Sequence, residues 1–256
     1  MYRRKVVISP SEAGCSNEIK IRALLDIFQD TASNAVKDKE GSPGALMTRG
    51  YAWVLLKYEL DVSTRLPGMD EEVTVETRHT PNDGLHTLRV FRVSGALDES
   101  KTLVLAKTSW VLIDLASGRP VRAIQRIPEV FEDVIDDLPI DPDFAKIAKI
   151  KKISSSDEQT PETLFPVRFH DLDANGHVNN AVYFEWAFEA TPLDLTAWSV
   201  RAMMAEFRVS VKYRDLVRVK VQETGASNSE LKEFIYEIVN GEGKTAACCA
   251  ARFTPV

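Results

Sequence analysis

The stretch RFHDLDANGHVNNAVYFEWAFEATP, residues 168–192, joins a dense polar string to an apolar run with helical spacing. Polar side chains at this density are costly to bury, so the string predicts a surface loop that leads into a helix. Asn180 is the predicted N-cap, because its amide oxygen can accept a hydrogen bond from the first helical turn. The stripe that this helix should bury consists of Val182, Tyr183, Trp186, Ala187 and Ala190.

The same polar string contains the residue types that acyl transfer needs. The unpaired N–H groups of a helix N-terminus, here at Asn179 and Asn180, can form an oxyanion hole for a carbonyl oxygen that becomes negative. His177 can exchange protons near neutral pH, Asp173 can orient or activate a water, and the Asn175 amide can hold a water or a carbonyl. For any one of these residues taken alone, a role in a turn or as a cap is the better explanation. Their combination favours a catalytic loop.

The rest of the chain uses one order of elements twice. An amphipathic helix at about 21–36 is followed by predicted strands at about 51–63, 71–79, 86–95 and 103–114. After a second helix at about 180–190, strands are predicted at about 202–213, 216–224, 231–240 and 244–254. DEEVTVET in the first half resembles DLVRVKVQET in the second, which favours an internal duplication. Each half therefore predicts an α+β unit in which an antiparallel sheet wraps a helix.

Residues 115–165 have the composition of a linker, with five prolines, an acidic run and the polar string SSSDEQT. The predicted domains are 1–130 and 161–256, joined by a linker at 131–160. Within this linker, FAKIAKIKKI is compatible with a short helix.

Composition excludes several classes of function. The 256 residues are 44% hydrophobic and 27% charged, enough for one large core or two ordinary ones. A net charge of -6 argues against general nucleic-acid binding, so an acidic partner would have to meet a local basic patch. No apolar run is long enough to span a membrane, and MYRRKVVISP lacks the apolar run of an export signal, so a cytoplasmic location is expected. The richest basic patch consists of Lys146, Lys149, Lys151 and Lys152.

Neither a metal nor a cofactor is predicted. Cys15, Cys248 and Cys249 lack the paired spacing of a zinc site or a disulfide framework, and the last two are expected to be buried in a strand. The histidines and carboxylates show no metal-ligand spacing, and the glycines form no phosphate-binding loop. The histidines expected at exposed or edge positions, outside the chemistry, are His79, His86 and His170.

The string DLDANGHVNNAVYFEWAFEATP resembles the motif of acyl-acyl-carrier-protein (acyl-ACP) thioesterases, the double-hotdog enzymes of plants and bacteria. The resemblance covers nearly the whole chain. IRALLDIFQDTASNA is similar to the family's first hotdog helix, WVLLKYELDVSTRLPGMDEEVTVET to its following strands, and TSWVLIDLASGRPVRAI to its closing strand and turn. It implies hydrolysis of long-chain fatty acyl-ACP thioesters to free fatty acid and carrier protein, which ends fatty-acid synthesis.

The resemblance also implies residue roles. Asp173, Asn175 and His177 match the catalytic residues of the second hotdog, whereas the first hotdog would hold the acyl chain. Many members have a glutamate in a strand after the motif, where this chain has Ser210. This substitution makes Asp173 the expected base and Ser210 a water contact. The first-half residues that either line an acyl tunnel or form core are Leu24, Phe28, Trp53, Leu55 and Leu56.

Two other functions are compatible with the same sequence. One is an acyl-CoA thioesterase of the same fold, and the other is a non-catalytic acyl-thioester-binding protein, which Ser210 makes more credible. The expected partners are acyl carrier protein, as the substrate carrier, and the fatty acyl thioester itself. A homo-oligomer is also compatible with the sequence.

Overall fold

The computed structural model describes residues 1–39, 41–81, 84–131, 160–225 and 227–256. The chain divides into two compact units, Met1–Ala145 and Lys146–Val256. The division falls between residues 131 and 160, where the sequence predicts the linker. The predicted short helix FAKIAKIKKI and the basic patch of Lys146, Lys149, Lys151 and Lys152 lie outside the described residues.

The first unit is an antiparallel sheet with one long helix. Its strands are β1 (Tyr2–Val7), β2 (Tyr51–Asp61), β3 (Glu72–Pro81), β4 (His86–Gly95), β5 (Thr102–Asp114) and β6 (Arg119–Val121). Its helices are α1 (Ile21–Ala35), α2 (Pro43–Thr48) and α3 (Ala123–Arg126), with 3-10 turns at Lys37–Lys39 and Pro128–Phe131. The strands are ordered β1-β3-β4-β5-β2, and β6 pairs with β5.

Helix α1 forms where the sequence predicts it, because its apolar residues recur every three or four positions. It buries Leu24, Leu25, Ile27 and Phe28. The Phe28 ring stacks on Phe91 of β4, with the ring centroids 4.7 Å apart. The helix therefore packs on the face of the sheet that carries Phe91.

The segment after β5 is partly buried, although its prolines are typical of a linker. Residues of α3 and of the Pro128–Phe131 turn enter a buried cluster against which Trp53 packs. The apolar residues between these prolines are therefore anchored in the first unit. The buried members of this cluster are Val36, Leu46, Leu112, Ala123, Ile127, Val130 and Phe131.

The second unit repeats this plan. Its strands are β7 (Glu162–Pro166), β8 (Trp198–Phe207), β9 (Leu216–Glu223), β10 (Lys232–Val239) and β11 (Thr245–Pro255). Its helix is α4 (Asn180–Glu189), and a 3-10 turn spans Phe169–Asp171. The strands are ordered β7-β9-β10-β11-β8, which is the order of β1 to β5 in the first unit. The similar strings DEEVTVET and DLVRVKVQET lie at equivalent places, each leading into and forming β3 or β9.

The second unit differs from the sequence prediction at two strands. The strand predicted at 202–213 ends at Phe207, because the chain turns before β9 and Arg214 has a φ of 66°. The sequence does not predict strand β7 because it is short and three of its five residues are exposed, and it does not predict β1 because three of its six residues are exposed. Cys248 and Cys249 are buried in β11, as predicted, and the predicted stripe of α4 is buried as well.

An antiparallel sheet with few helices fits the predicted α+β class of hotdog type. Among the described helices, none is long and apolar enough to cross a membrane. The same ranges contain no group of three or more His, Cys, Asp or Glu residues placed to hold a metal ion.

Candidate active site

The predicted catalytic residues lie on one tight loop that runs into α4. Leu172 and Val178 form an isolated antiparallel bridge, and the Asp173 N–H donates to the His177 carbonyl over 2.7 Å. The Gly176 N–H donates back to the Asp173 carbonyl over 3.1 Å. Gly176 has a φ of 74°, in the left-handed region that glycine adopts readily. The chain therefore reverses within five residues and presents Asp173, Asn175 and His177 together.

The Asp173 carboxylate holds the inside of this loop. Its Oδ1 accepts hydrogen bonds from the N–H groups of Asn175 and His177, over 2.8 and 3.1 Å. Its Oδ2 is 3.4 Å from the Nδ2 atom of Asn175. One oxygen thus orders the backbone, and the other helps to orient the Asn175 amide.

Asn175 and His177 present their side chains to solvent. The His177 backbone forms an isolated bridge with Lys212, which fixes the loop against the segment before β9. Among the described residues, neither ring nitrogen of His177 has a hydrogen-bond partner. The imidazole is therefore open to contact with a bound substrate or water.

The N-cap of α4 lies one residue before the predicted position. Asn179, not Asn180, is the N-cap: its ψ is 136°, and its side-chain oxygen accepts from the Ala181 N–H over 2.9 Å. The prediction of Asn180 was wrong because two adjacent asparagines have equal capping propensity, and only the backbone geometry distinguishes them.

Capping engages some of the N–H groups at the start of α4. The Ala181 N–H is taken by the Asn179 side chain, and the Val182 N–H donates to the Asn179 carbonyl over 3.0 Å. In the part of the chain that the structure describes, the Asn180 N–H has no acceptor. Of the predicted pair at the helix N-terminus, Asn179 therefore acts as a cap, and Asn180 supplies the available N–H group.

Asp171 and Arg168 form an ion pair that stabilises the start of the loop, and this pair was not predicted. Asp171 is fully buried, and its carboxylate accepts hydrogen bonds from the backbone N–H and the guanidinium of Arg168, the shortest of 2.7 Å. The Asn179 N–H donates to the Asp171 carbonyl over 2.8 Å. Hydrogen bonding to Asp171 raises the pKa of the Arg168 guanidinium above its usual value. The i,i+3 spacing of an arginine and an aspartate was the available signal.

Tyr183 packs behind the loop within the buried stripe of α4. Its ring meets Phe207 edge-on, with the centroids 5.3 Å apart. Burial raises the pKa of the Tyr183 phenol well above its usual value, and the neighbouring Cys249, Asp173 and Asp215 raise it further. The phenol therefore stays neutral, and its proximity to Asp173 makes it part of the site's surroundings.

Ser210 does not lie on a strand, contrary to its predicted position. It is exposed in the segment between Phe207, where β8 ends, and Leu216, where β9 begins. Within the described ranges, its hydroxyl makes no hydrogen bond. An exposed hydroxyl with no adjacent base lacks the activation that a serine nucleophile needs.

The first unit contains the same loop without these side chains. Ala13 and Ile19 form the equivalent bridge. The Gly14 N–H donates to the Glu18 carbonyl over 2.8 Å, and the Asn17 N–H donates to the Gly14 carbonyl over 3.1 Å. Asn17 has a φ of 62°, close to that of Gly176. The backbone of the loop is therefore the same in both units.

This equivalence separates folding from chemistry. Gly14, Ser16 and Glu18 occupy the positions of Asp173, Asn175 and His177. Lys20, at the position of Asn179, precedes α1 without a side-chain cap. Since the loop forms with other residues at these three positions, the fold does not require Asp173, Asn175 or His177 in the second unit.

The surroundings of His79 differ from the exposed or edge position that the sequence predicts. It is half-buried, not exposed, with its Nδ1 atom 3.0 Å from the Arg89 guanidinium and its ring edge-on to Phe131. Burial, with a further contribution from Arg89, lowers the pKa of His79 to about 3. Since Arg89 can only donate, the neutral ring accepts at Nδ1 and carries its proton on Nε2. His86 is half-buried and His170 is exposed.

Both halves of the chain match models of one protein family. Residues 1–134 match the model of the acyl-ACP thioesterase N-terminal domain, and residues 154–255 match that of the C-terminal domain. A palmitoyl-acyl carrier protein thioesterase of Arabidopsis thaliana, named as chloroplastic, is 24% identical over 218 residues, which cover 81% of this chain and 52% of that protein. The chain spans about half the length of the curated relatives it matches.

Two solved structures have a similar fold along their whole length. A putative oleoyl thioesterase from Lactobacillus plantarum superposes with a TM-score of 0.85 at 20% identity, covering 100% of this chain and 96% of that one. A 12:0-ACP thioesterase from Umbellularia californica gives 0.81 at 22% identity, covering 100% and 94%. At these identities the likeness concerns the fold. The two domain models together cover both units, and the chain belongs to the acyl-ACP thioesterase family.

Proposed function

We propose that the chain hydrolyses long-chain fatty acyl thioesters of acyl carrier protein, giving free fatty acid and the carrier thiol. The observation that carries this proposal is the pair of equivalent loops. Asp173, Asn175 and His177 occupy positions where the same backbone forms with Gly14, Ser16 and Glu18. Side chains that folding does not require, gathered on one loop at a helix N-terminus, support a chemical role. The activities after which the relatives are named point to the same reaction.

In the proposed reaction, a water attacks the thioester carbonyl carbon. The oxyanion that forms accepts a hydrogen bond from the Asn180 N–H and faces the positive end of the α4 dipole. The carbon–sulfur bond then breaks, the sulfur takes a proton, and the acid leaves. The water supplies the hydroxyl of the acid and, through the base, the proton of the thiol.

The contacts within the loop support distinct roles for its side chains. Asp173 Oδ1 is occupied by two backbone N–H groups, so only Oδ2 is placed to accept a proton from water. Asn175, whose amide is oriented by Asp173, holds the water or the carbonyl. His177, exposed and without a hydrogen-bond partner among the described residues, carries the proton to the leaving sulfur. Ser210 contributes at most a contact to water.

The proposal includes a tandem hotdog architecture, supported by the common strand order and the equivalent loops of the two units. Residues 161–256 form the catalytic hotdog, and residues 1–130 form the hotdog that binds the acyl chain, joined by the linker at 131–160. In the first unit Leu24, Phe28 and Leu55 are buried, whereas Trp53 and Leu56 are half-buried. The half-buried pair provides the better candidates for contact with an acyl chain. A cytoplasmic location stays a prediction.

The experiment is a hydrolysis assay on acyl-ACP thioesters of graded chain length, with the matching coenzyme A esters in parallel. We expect faster turnover of the carrier substrates, and a loss of about a hundredfold or more in His177→Ala, the scale of acid–base catalysis. The control is Glu18→Ala, the same truncation in the equivalent loop, which should keep most of the activity. Tight acyl-ACP binding without turnover would replace hydrolysis with a binding function. Preference for coenzyme A esters would replace the carrier.

A further inference from the structure

Two exposed aromatic rings lie beside the Asp173–His177 loop. Phe169 is 68% exposed and Tyr213 is 46% exposed. Their rings meet edge-on with the centroids 6.3 Å apart, and Phe169 also meets the ring of His170 at 5.4 Å. A single exposed ring is common on protein surfaces, but a contiguous group is characteristic of a contact site.

Two exposed cations adjoin these rings. The Arg214 guanidinium lies over the Tyr213 ring, 5.3 Å from its centroid. Arg214 and Lys212 are exposed, and over the described part of the chain neither side chain forms an ion pair. Glu242 is within electrostatic reach of Lys212, but its carboxylate is bound by Lys244 over 2.7 Å. We call Phe169, His170, Lys212, Tyr213 and Arg214 the aromatic–basic surface.

The aromatic–basic surface adjoins the candidate active site directly. The Lys212 backbone forms the bridge with His177, so Tyr213 and Arg214 follow at once along the chain. On the other side, Phe169 and His170 belong to the 3-10 turn that leads into the loop. A partner seated on this surface would have part of its own surface next to His177.

The first unit shows that the fold requires neither the rings nor the cations. Glu18 and Gly68 form the bridge equivalent to that of His177 and Lys212. The turn after it contains Met69 and Asp70, and Asp70 has a φ of 63°, close to the 66° of Arg214. Aspartate is favoured in this left-handed conformation, and arginine is not. The residues at the positions of the aromatic–basic surface are Pro10, Ser11, Gly68, Met69 and Asp70.

We propose that the aromatic–basic surface is the docking site of the acidic carrier protein, an inference that rests on the proposed function. With a net charge of -6, the chain repels an acidic protein at long range, so association needs a local patch of opposite sign. Tyrosine and arginine are the residue types that dominate binding energy at interfaces. The place beside His177 is where the thioester of the docked carrier has to arrive.

The test is the affinity of the full chain for carrier protein bearing a non-hydrolysable acyl thioether, measured by calorimetry. Arg214→Asp installs the side chain that the equivalent turn holds at Asp70, so the turn is preserved. We expect it to raise the Kd about tenfold or more, and Phe169→Ala to raise it about fivefold. The wild-type affinity should fall as salt increases. The matched control is Arg218→Glu, an exposed arginine of β9 with the same change in charge, which should alter the Kd by less than about twofold.

Each alternative outcome is decisive. An unchanged Kd in Arg214→Asp overturns the proposal, as does equal weakening in Arg218→Glu, which would mean that only net charge matters.

Turnover of a small acyl N-acetylcysteamine thioester, which has no carrier, should be the same in Arg214→Asp and wild type. If Arg214→Asp slows acyl-CoA hydrolysis as much as acyl-ACP hydrolysis, the surface recognises the part that the two substrates share, and protein docking is overturned. Carrier binding without turnover of any thioester would refute the proposed hydrolysis and leave the docking site standing.

Discussion

Replacement of Asp173 by glycine should separate the chemistry of the active loop from its folding. The substitution copies Gly14, which supports the same backbone in the first unit. It removes the hydrogen bonds of 2.8 and 3.1 Å from the N–H groups of Asn175 and His177. Because both residues are exposed, water can replace the carboxylate, so each bond should contribute only about 0.5–1.5 kcal/mol to stability.

The two bonds together therefore amount to about 1–3 kcal/mol, with up to about 1 kcal/mol more for the added freedom of glycine. In a chain of this size, 1 kcal/mol changes the Tm by roughly 2–4 °C. We expect the Tm of Asp173→Gly to fall by about 2–16 °C. The rate of thioester hydrolysis should fall by about a hundredfold or more, which corresponds to about 2.7 kcal/mol in the barrier.

The assays are calorimetric unfolding and kcat/KM on an acyl-ACP thioester. The control is Gly14→Asp, the reverse change in the equivalent loop, where a Cβ atom at Gly14 would meet nothing closer than 3.7 Å. This variant should keep its activity and its Tm within a few degrees. A folded Asp173→Gly protein with less than about a tenfold loss would remove Asp173 from the mechanism. Failure of that variant to fold would show that the two loops are not energetically equivalent.

Three further substitutions test other parts of the structure. Since the pKa of His79 is lowered to about 3, the unfolded chain binds more protons below pH 6.5, and stability should fall as the pH falls. The free energy of unfolding measured in urea should fall by about 2–3 kcal/mol between about pH 7 and 4.5 because of this group, and His79→Gln should abolish that fall. A parallel pH profile in the variant would contradict the assignment. Asn179→Ala removes the 2.9 Å capping hydrogen bond of α4 and should lower the free energy of unfolding by about 1 kcal/mol, measured by thermal unfolding. The loss should exceed that of Ser42→Ala, whose capping bond is 3.4 Å. Equal losses would count against the cap. Ser210→Ala should lower kcat by about tenfold or less, and rapid-quench mass spectrometry should find no acylated serine; an acyl-serine intermediate would overturn attack by water.

Much of the fold could be predicted because its strands and helices carry strong periodicity. Val73 and Val75 alternate with polar residues in β3, and both are fully buried. Strand β1 escaped prediction because its alternate residues Arg3 and Lys5 are exposed and its half-buried residues include Arg4. Such a strand is specified by pairing with β3, which no local pattern reveals.

The candidate site was predictable in its residue types and less so in its geometry. Asp173, Asn175 and His177 stood out as a string, and the structure gathers them on one loop. The engagement of Asp173 Oδ1 by two backbone N–H groups could not be foreseen, because it depends on the left-handed turn at Gly176. The burial of Asp171 was equally hidden, since a carboxylate is expected at the surface unless its partner is known.

The equivalence of the two loops also bears on how sequence variation at these positions should be interpreted. One backbone forms both with Gly14, Ser16 and Glu18 and with Asp173, Asn175 and His177, so the conformation of the loop does not dictate the residues at these positions. If the two units arose by duplication and only the second is catalytic, as proposed, the first copy was relieved of selection for turnover at these sites. Restriction of residue choice at Asp173, Asn175 and His177 among descendants would then record selection for turnover beyond the stability that these side chains add, and the first loop provides the baseline against which to measure it.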